Sequence, residues 1–334
     1  MSDDLQPLSP AEGVDRFITH REPSVRKSTL QNAKTRLGHF LDWCDERDVD
    51  ELNDLTGRDL ADFVAWRRGE IKALTLQKQL STIRQALRWW ADIEAVPEGL
   101  AEKIHAPELP DGAESKDVAL DPERARELLD YYDQYHRGSR DHVILSLLWR
   151  TGMRRSALRS LDVDDLEPDE HAVRIEHRPK QGTKLKNGTD GDRWVYLGPV
   201  WYSVVDDYLS NPDRFDVEDD YGREPLITTM HGRPSKSSFS KWVYKMTQPC
   251  ELGECPHGVD PEDCDARVPS SASKCPSSVG PHAVRRGAIT HHLTDGIPPE
   301  VASERMNVSL NVLYEHYDVR TEREKMAVRK EALS

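Results

Sequence analysis

Residues 280–318 read GPHAVRRGAITHHLTDGIPPEVASERMNVSLNVLYEHYD. His282 and Arg285 are three positions apart, so a helix would place both side chains on one face. A planar guanidinium can donate to two phosphate oxygens, and an imidazole exchanges a proton near neutral pH. The stretch therefore predicts a helix that presents an anion-binding pair, with Tyr317 near the far end of the segment.

A second stretch, Leu147–Leu166, reads LLWRTGMRRSALRSLDVDDL. Its apolar run predicts a buried helix that is interrupted at Thr151–Gly152, because glycine commonly follows the last turn of a helix. Arg154 then stands at the start of the next helix. The sequence thus offers a second arginine in a defined position, far from Arg285 along the chain.

These two motifs together resemble the tyrosine recombinase (phage integrase) family, of the XerC/XerD-like site-specific type. The motifs are Thr-Gly-Met-Arg-x-Ser-x-Leu-x-x-Leu over 151–161 and His-x-x-Arg, Gly and Tyr over 282–317, and the resemblance covers about residues 10–320. It implies a mainly α fold with a small β-hairpin or sheet. It also implies a DNA integrase that breaks and rejoins double-stranded DNA through a 3′-phosphotyrosyl link, requires no cofactor, and acts as a homo-oligomer, a tetramer on paired sites.

The resemblance also implies a role for each site residue. Arg154 and Arg285 would clamp the scissile phosphate, His282 would transfer a proton or orient the phosphate, and Tyr317 would be the nucleophile, with Tyr314 as its rival. The family has a lysine on a β-hairpin that protonates the leaving oxygen. Lys180 matches it best, and Lys184 is the second choice.

The sequence departs from the family pattern at three places. Ala157 replaces an acidic residue, Arg286 replaces a histidine, and Met306-Asn307-Val308 stands where the family has Leu-Gly-His. Asn307 or His316 is a candidate to supply the missing hydrogen bond. The departures leave open a non-cleaving, DNA-binding or regulatory protein on the same fold, and a type IB topoisomerase-like activity is a further alternative.

The charge of the chain at first argues against a nucleic-acid partner. Asp and Glu number 60 against 46 Lys and Arg, which gives a net charge of −14. One interpretation is a protein that does not touch DNA, and the other is a protein of a salt-rich, archaeal type of cytoplasm with a basic surface reserved for DNA. Two acid-free stretches, 24–36 and 71–90, favour the second, although ordinary solvated helix faces would look similar. Their candidate DNA-binding residues are Arg26, Lys27, Lys34, Arg36, Lys72, Lys78, Arg84 and Arg88.

Composition and periodicity predict the domain organisation. We expect a flexible tail over 1–12, a helical core-binding domain over 13–104, a linker rich in Pro, Gly and charge over 105–118, and a catalytic domain over 119–334. Alternating residues predict strands over 172–177 and 193–197, and a short strand over 226–229. The C-terminal helix expected over 321–333 is a candidate for exchange between protomers.

Four cysteines lie in a Cys-rich insertion over 250–280: Cys250, Cys255, Cys264 and Cys275. Their spacing lacks a CxxC pair, so structural zinc, disulfides and unpaired thiols all stay open, with His257 as another candidate ligand. A zinc ion held by all four thiolates would have no open position and would be structural.

The sequence also bears on location. The N-terminus lacks the layout of a signal peptide, and the most apolar run, Val143–Trp149, is too short to cross a bilayer. A soluble, cytoplasmic protein without a membrane partner is therefore expected.

Overall fold

A computed structural model describes residues 5–108, 118–260, 262–317 and 326. The chain divides into two compact units, Met1–Asp117 and Val118–Ser334. Each unit has its own buried apolar cluster. Most of the predicted linker, and all of the predicted C-terminal helix except Met326, lies outside the described residues, so the predicted domain limits stay predictions.

Over its described residues, 5–108, the first unit has four α-helices: α1 (Pro10–Arg21), α2 (Lys27–Glu46), α3 (Gly57–Arg68) and α4 (Ala73–Asp92). The apolar stripe of α4, which includes Leu80, Ile83 and Leu87, is fully buried, as its helical spacing predicts. Trp90 is also buried and donates its indole N–H to the Gly13 carbonyl at 2.8 Å. Trp90 is therefore a core residue.

The described part of the predicted N-terminal tail is packed rather than loose. Helix α1 begins at Pro10, because the Ser9 hydroxyl caps its first turn and proline fits the first helical position. Leu8 is buried, its carbonyl accepts from the Leu52 N–H at 2.8 Å, and the Gln6 N–H donates to Glu94. An apolar side chain and helix-start signals thus hold residues 6–12 to the first unit, within the stretch 1–12 for which the sequence predicts a flexible tail.

The second unit is mostly helical with one small sheet. Its helices are α5 (Pro122–Tyr135), α6 (Arg140–Thr151), α7 (Arg155–Ser160), α8 (Pro199–Leu209), α9 (Lys236–Met246), α10 (Pro281–Thr294), α11 (Pro299–Met306) and α12 (Leu310–His316). Its strands are β1 (Leu166–Glu167), β2 (Ala172–Ile175) and β3 (Arg193–Tyr196). The predicted fold class, mainly α with a small sheet, is confirmed.

The sheet is antiparallel, with strand order β1-β2-β3. Val173 pairs with Leu166 on one side and with Val195 on the other, so the apolar face turns into the core. The strand predicted over 226–229 is wrong. That segment forms only isolated bridges at its edges, and its residues Leu226 and Ile227 are buried in the core.

A network of arginines and aspartates joins three loops at one end of the sheet. Asp162, 5% exposed, accepts hydrogen bonds from Arg178, Arg223 and Arg233, and Arg178 also pairs with Asp165. Each buried charge thus has partners of opposite sign, which buried ionised groups require. We call this set the arginine–aspartate network.

Helix α10 packs against α6. It also lies very close to the backbone of Leu120, near the start of the second unit. A Cβ atom at Gly287 would lie 2.1 Å from the Leu120 carbonyl oxygen, so only glycine fits there. The Leu120 N–H donates to the Ala283 carbonyl at 3.0 Å, which fixes the first turns of α10. Beyond Gly287, Ile289 and Leu293 form a small cluster with α11 and α12.

Among the described residues, each helix is too short or too polar to cross a lipid bilayer.

Candidate functional site

The turn after α6 places Arg154. Gly152 ends α6 in the left-handed region (φ 57°), which glycine adopts without strain. The Thr151 hydroxyl donates back to the Leu147 carbonyl at 2.6 Å and accepts from the Met153 N–H at 3.2 Å. These contacts fix the backbone that leads into Arg154, which stands at the N-cap of α7 as the motif predicted.

Helix α10 places Arg285 next to the same turn. Arg285 is 4% exposed, and its Nη1 donates to the carbonyls of Gly152 (2.5 Å) and Met306 (2.7 Å). The guanidinium therefore ties α10 both to the turn after α6 and to the end of α11. A side chain held by two carbonyls has few orientations open to it, so its remaining N–H groups have a fixed direction.

The two arginines converge on one residue, Asn307. Nη1 of Arg154 donates to the Asn307 carbonyl at 2.7 Å, and Nη2 of Arg285 lies 3.4 Å from the same oxygen. Residues 131 positions apart in the sequence are thus brought to a single carbonyl. Within the part of the chain that the structure describes, the hydrogen bonds of Arg154 use Nη1, and its Nε and Nη2 face no partner, which suits a planar oxyanion.

Among the described residues, the arginines of this site have no carboxylate as a hydrogen-bond partner. The hydrogen bonds of Arg154, Arg193 and Arg285 go to carbonyl and amide oxygens, unlike those of the arginine–aspartate network. Burial, and after it the charge of Arg154, lowers the pKa of Arg285 to about 9. The pKa of Arg193 falls to about 10 for the same two reasons. An anion at this place would offset the repulsion, so the cluster is built to bind one.

His282 lies at the mouth of the cluster, in the first turn of α10. Its pKa is lowered, first by burial and then by the charges of Arg285, Arg286, Lys186 and Arg154. The imidazole is therefore neutral near pH 7 and can accept a proton. The predicted pair of His282 and Arg285 does share one side of α10, and Arg154 belongs to the same group.

The loop between β2 and β3 contains Lys180, Lys184 and Lys186, and the structure places Lys180 and Lys186 in different surroundings. Lys180 is exposed in a short turn, Pro179–Gln181, next to the arginine–aspartate network. Lys186 instead lines the small cleft that Arg154, Arg193 and Asn307 also line. The resemblance favoured Lys180 because Pro-Lys-Gln-Gly over 179–182 matches the hairpin lysine of the family best. Arg193, at the start of β3, was missed, although a strand that begins with arginine beside a lysine-rich turn is a usable signal.

Tyr317 and Tyr314 face different surroundings at the end of α12. Tyr317 is 6% exposed, it packs in the cluster of Leu313 and Met306, and the guanidinium carbon of Arg286 lies 5.6 Å from its ring centre. The hydroxyl is close enough to Arg154 and Arg285 that its ionised form raises the pKa of both. Tyr314 is 49% exposed, and its hydroxyl lies 3.4 Å from a Glu300 carboxylate oxygen.

The position of the missing family histidine is occupied by Val308, which is buried in the same small cluster as Tyr317. The two candidate replacements fare differently. The Asn307 amide donates to the Asp190 carbonyl at 2.6 Å, so its donor is directed at the hairpin loop. The side chain of His316 lies outside the described part of the chain.

The predicted DNA-binding residues of the first unit lie on α2 and α4 or at their starts. Lys27, Lys34 and Lys78 are exposed. Arg84 is partly buried and donates to the Ile104 carbonyl at 2.9 Å, and Arg88 pairs with Glu102 at 3.2 Å. These two arginines therefore have structural partners, which the sequence reasoning did not foresee. The other members of the set are Arg26 and Lys72, both exposed, and Arg36, which donates to the Thr82 hydroxyl.

The starts of α2 and α4 differ from those of their neighbours. The first turns of α1 and α3 hold acidic residues and are capped by hydroxyls. Helices α2 and α4 instead have Arg26 and Lys72 as their N-cap residues and have no acid in the first turn. Arginine and lysine have no acceptor with which to cap a helix. Backbone N–H groups with basic side chains beside them favour phosphate.

The four clustered cysteines lie in short turns that pack on α9. All four thiols are free and partly exposed, and the Cys250 sulfur accepts from Arg267 at 3.5 Å. Within the described residues, no three candidate ligands lie together as a metal site would require. The zinc prediction is therefore supported by the cysteine pattern alone.

Comparison with known proteins places this geometry in a class. Residues 119–252 match the model of the phage integrase family, and residues 15–92 match that of the phage integrase N-terminal SAM-like domain. Tyrosine recombinase XerC of Chlamydia trachomatis serovar L2 is 28% identical over 147 residues, which are 44% of this chain and 43% of that protein. The chain thus spans about half the length of the curated relatives it matches.

Two solved structures share the fold. The Tn1549 transposon integrase, in complex with a circular intermediate DNA, gives a TM-score of 0.71 at 13% identity and covers 97% of this chain and 99% of that one. A lambda integrase dimer bound to a COC′ core site gives 0.67 at 13% identity and covers 94% and 78%. The fold is that of an integrase. The chain belongs to the tyrosine recombinase (phage integrase) family.

Proposed function

We propose that this chain is a site-specific recombinase that cleaves and rejoins double-stranded DNA through a 3′-phosphotyrosyl intermediate. The observation that carries the proposal is the convergence of Arg154 and Arg285 on the Asn307 carbonyl, with Tyr317 beside them. Two guanidiniums that are held by carbonyls and lack carboxylate partners suit the non-bridging oxygens of a phosphodiester. Preorganised cations of this kind stabilise the charge of the transition state.

The reaction balances with groups that the chain supplies. The Tyr317 hydroxyl oxygen attacks phosphorus and gives up its proton, and the bond from phosphorus to the 5′-oxygen breaks. His282, neutral near pH 7, is the proposed acceptor of the phenolic proton. The departing 5′-oxygen takes a proton from a lysine. Rejoining is the reverse reaction with a 5′-hydroxyl as nucleophile, and the phosphotyrosyl bond retains the energy, so no nucleotide is consumed.

We assign the proton donor to Lys186 rather than to Lys180. Lys186 lines the cleft beside Arg154, and its charge contributes to the low pKa of His282. Lys180 lies beside the arginine–aspartate network and does not line that cleft. A general acid must be within hydrogen-bond reach of the oxygen that leaves. The location of Lys186 in the cleft is therefore a stronger argument than the match of Lys180 to the family motif.

The DNA interface would extend over the first unit. The uncapped starts of α2 and α4, with Lys27 and Lys72 beside them, suit backbone phosphates and carry no base-specific information. The Tn1549 and lambda integrase structures contain DNA, and the latter is a dimer on its site, which supports the same kind of partner here. A tetramer on paired sites, with exchange of the C-terminal segment, is part of the proposal.

Covalent trapping tests the chemistry. A nicked duplex that loses a short 5′-hydroxyl strand after cleavage should leave DNA covalently bound to the wild-type protein. Tyr317→Phe should abolish the adduct, and the matched Tyr314→Phe should retain it. Salt must be held constant, because phosphate contacts weaken steeply with salt. An adduct that survives Tyr317→Phe would refute the assignment of the nucleophile.

The lysine assignment has its own test. A substrate with sulfur in place of the bridging 5′-oxygen has a leaving group that needs no proton. Lys186→Ala should therefore cleave the oxygen substrate slowly and the sulfur substrate at nearly the wild-type rate. Lys180→Ala should cleave both substrates normally. Rescue of Lys180→Ala by sulfur, together with normal cleavage by Lys186→Ala, would reverse the assignment.

One observation favours a second candidate, a DNA-binding regulator that does not cleave. Val308, which cannot donate a hydrogen bond, fills the position of the family histidine and is buried. Specific DNA binding without any adduct would support the regulator. Relaxation of a supercoiled plasmid by the protein alone would instead indicate topoisomerase-like activity.

A further inference from the structure

Asn307 has a backbone conformation that usually belongs to glycine. It ends α11 with φ 51° and ψ 62°, in the left-handed region, where asparagine is tolerated better than most residues. Glycine would satisfy the backbone at no cost. Asparagine adds an amide at a place where the chain turns between Arg154, Arg285 and the hairpin loop.

The side-chain amide of Asn307 makes three hydrogen bonds, two through its oxygen and one through its nitrogen. Its Oδ1 accepts from Arg154 Nη1 at 2.8 Å and from the Asn187 side-chain amide, and its Nδ2 donates to the Asp190 carbonyl at 2.6 Å. The orientation of the amide is fixed, because arginine can only donate and must face the oxygen. The side chain thus connects the start of α7 with the loop between β2 and β3.

The connected loop carries Lys186, which is adjacent to Asn187. Lys186 lines the same cleft as Arg154 and Asn307. Other hydrogen bonds hold the loop elsewhere: the Leu185 N–H donates to His177 Nδ1 at 2.9 Å, and Arg193 Nε donates to the Arg305 carbonyl at 2.8 Å. Those two bonds do not involve Arg154, whereas the Asn307 amide joins the loop beside Lys186 to Arg154.

We propose that Asn307 is a positioning residue that holds the loop of Lys186 at a fixed place beside Arg154. The inference rests on the proposed cleavage reaction, in which Lys186 protonates the leaving oxygen while Arg154 binds the phosphate. The amide nitrogen of Asn307 is directed at the Asp190 carbonyl, so the role we propose for the side chain is to hold the loop and not to bind the phosphate. Its effect is on the geometry of proton transfer, where a displacement of about 1 Å can cost about 100-fold in rate.

Asn307→Gly is the informative variant. Glycine keeps the left-handed backbone and the carbonyl that Arg154 and Arg285 share, and it removes only the amide. We expect single-turnover adduct formation to fall about 10- to 100-fold, while the Kd for DNA stays within about 3-fold and the melting temperature is nearly unchanged. Asn311→Ala, which removes an exposed asparagine from α12, is the matched control and should behave as wild type.

Two further measurements separate positioning from a merely structural role. On the substrate with a 5′-bridging sulfur, the deficit of Asn307→Gly should shrink to less than about 3-fold, because no proton is needed. In a Lys186→Ala background, Asn307→Gly should add little further loss. A deficit that persists at full size in both cases would overturn the proposal, as would wild-type cleavage by Asn307→Gly.

A readout without DNA keeps the inference separable from the proposed function. Hydrogen exchange of the amides over 185–191 should become faster in Asn307→Gly and stay unchanged in Asn311→Ala. Unchanged exchange in Asn307→Gly would refute the link between Asn307 and the loop. A wild-type protein that forms no adduct would overturn the cleavage function itself, whereas an active wild type with an equally active Asn307→Gly overturns only this inference.

Discussion

A buried histidine makes the stability of the second unit depend on pH. His292 is 5% exposed, and its Nε2 lies 3.1 Å from the Arg150 carbonyl oxygen. The Nη2 of Arg305 donates to the same carbonyl, also at 3.1 Å. Burial lowers the pKa of His292 to about 4, and the charges of Arg305 and His291 add to the effect. In the folded protein, the neutral imidazole donates to the carbonyl that precedes the Thr151–Gly152 turn.

The sign of the effect follows from the two pKa values. The folded value, about 4, lies below the ordinary value of 6.5, so the unfolded chain binds more protons between these pH values. Stability is therefore present above pH 6.5 and is lost as the pH falls towards 4. A difference of about 2.5 between the values corresponds to at most about 3 kcal/mol, of which about 2 kcal/mol is lost between pH 7 and pH 5.

His292→Gln removes the titration and keeps a donor for the Arg150 carbonyl. We expect the wild type to lose about 2 kcal/mol more of unfolding free energy than His292→Gln between pH 7 and pH 5. Urea unfolding at constant salt, followed by circular dichroism at several pH values, measures the difference. His39→Gln, at a partly exposed histidine of the first unit, is the control. Parallel pH profiles for the wild type and His292→Gln would refute the reasoning.

Three further predictions follow from packing, charge and composition. Gly287→Ala should lower the free energy of unfolding by about 1–3 kcal/mol, because its Cβ would meet the Leu120 carbonyl. Gly38→Ala, in open space on α2, should raise it by about 0.5–1 kcal/mol. Chemical denaturation measures both changes. Lys78→Ala should reduce the slope of log Kd for DNA against log salt by about 1, and Arg88→Ala, whose side chain is paired with Glu102, should change it less. Elemental analysis should find one zinc per chain that is lost in Cys264→Ser, and a metal-free protein with titratable thiols would contradict the zinc prediction.

Local signals in the sequence were enough for the helices that carry the two arginines. Gly152 marks the end of α6 and Arg154 the start of α7, because the left-handed position and the change in apolar period are properties of consecutive residues. The spacing of His282 and Arg285 likewise placed both on one side of α10, since helical geometry alone determines it. The resemblance to the family implied the fold class, and alternating residues predicted the strands that the structure pairs as β2 and β3.

The hairpin loop shows where such signals end. Residues 178–192 have no apolar period, so nothing local distinguishes Lys180 from Lys186. The distinction comes from contacts that reach Asn307, more than 100 positions away, and from the arginine–aspartate network at the other side of the loop. In the same way, the sequence could not foresee that Arg84 and Arg88 would hold residues 102–104.

The sequence by itself determined which side chains could bind a phosphate, because residue type fixes charge and donor geometry and short spacings fix the helix face. Only the tertiary structure decided which of them meet. Arg154, Lys186, Arg285 and Tyr317 come from four separate segments, and their common location depends on Gly287 admitting a close approach and on Asn307 joining α7 to the hairpin loop. Those are contacts between distant segments, whose energies depend on packing in three dimensions and leave no periodic trace in the chain.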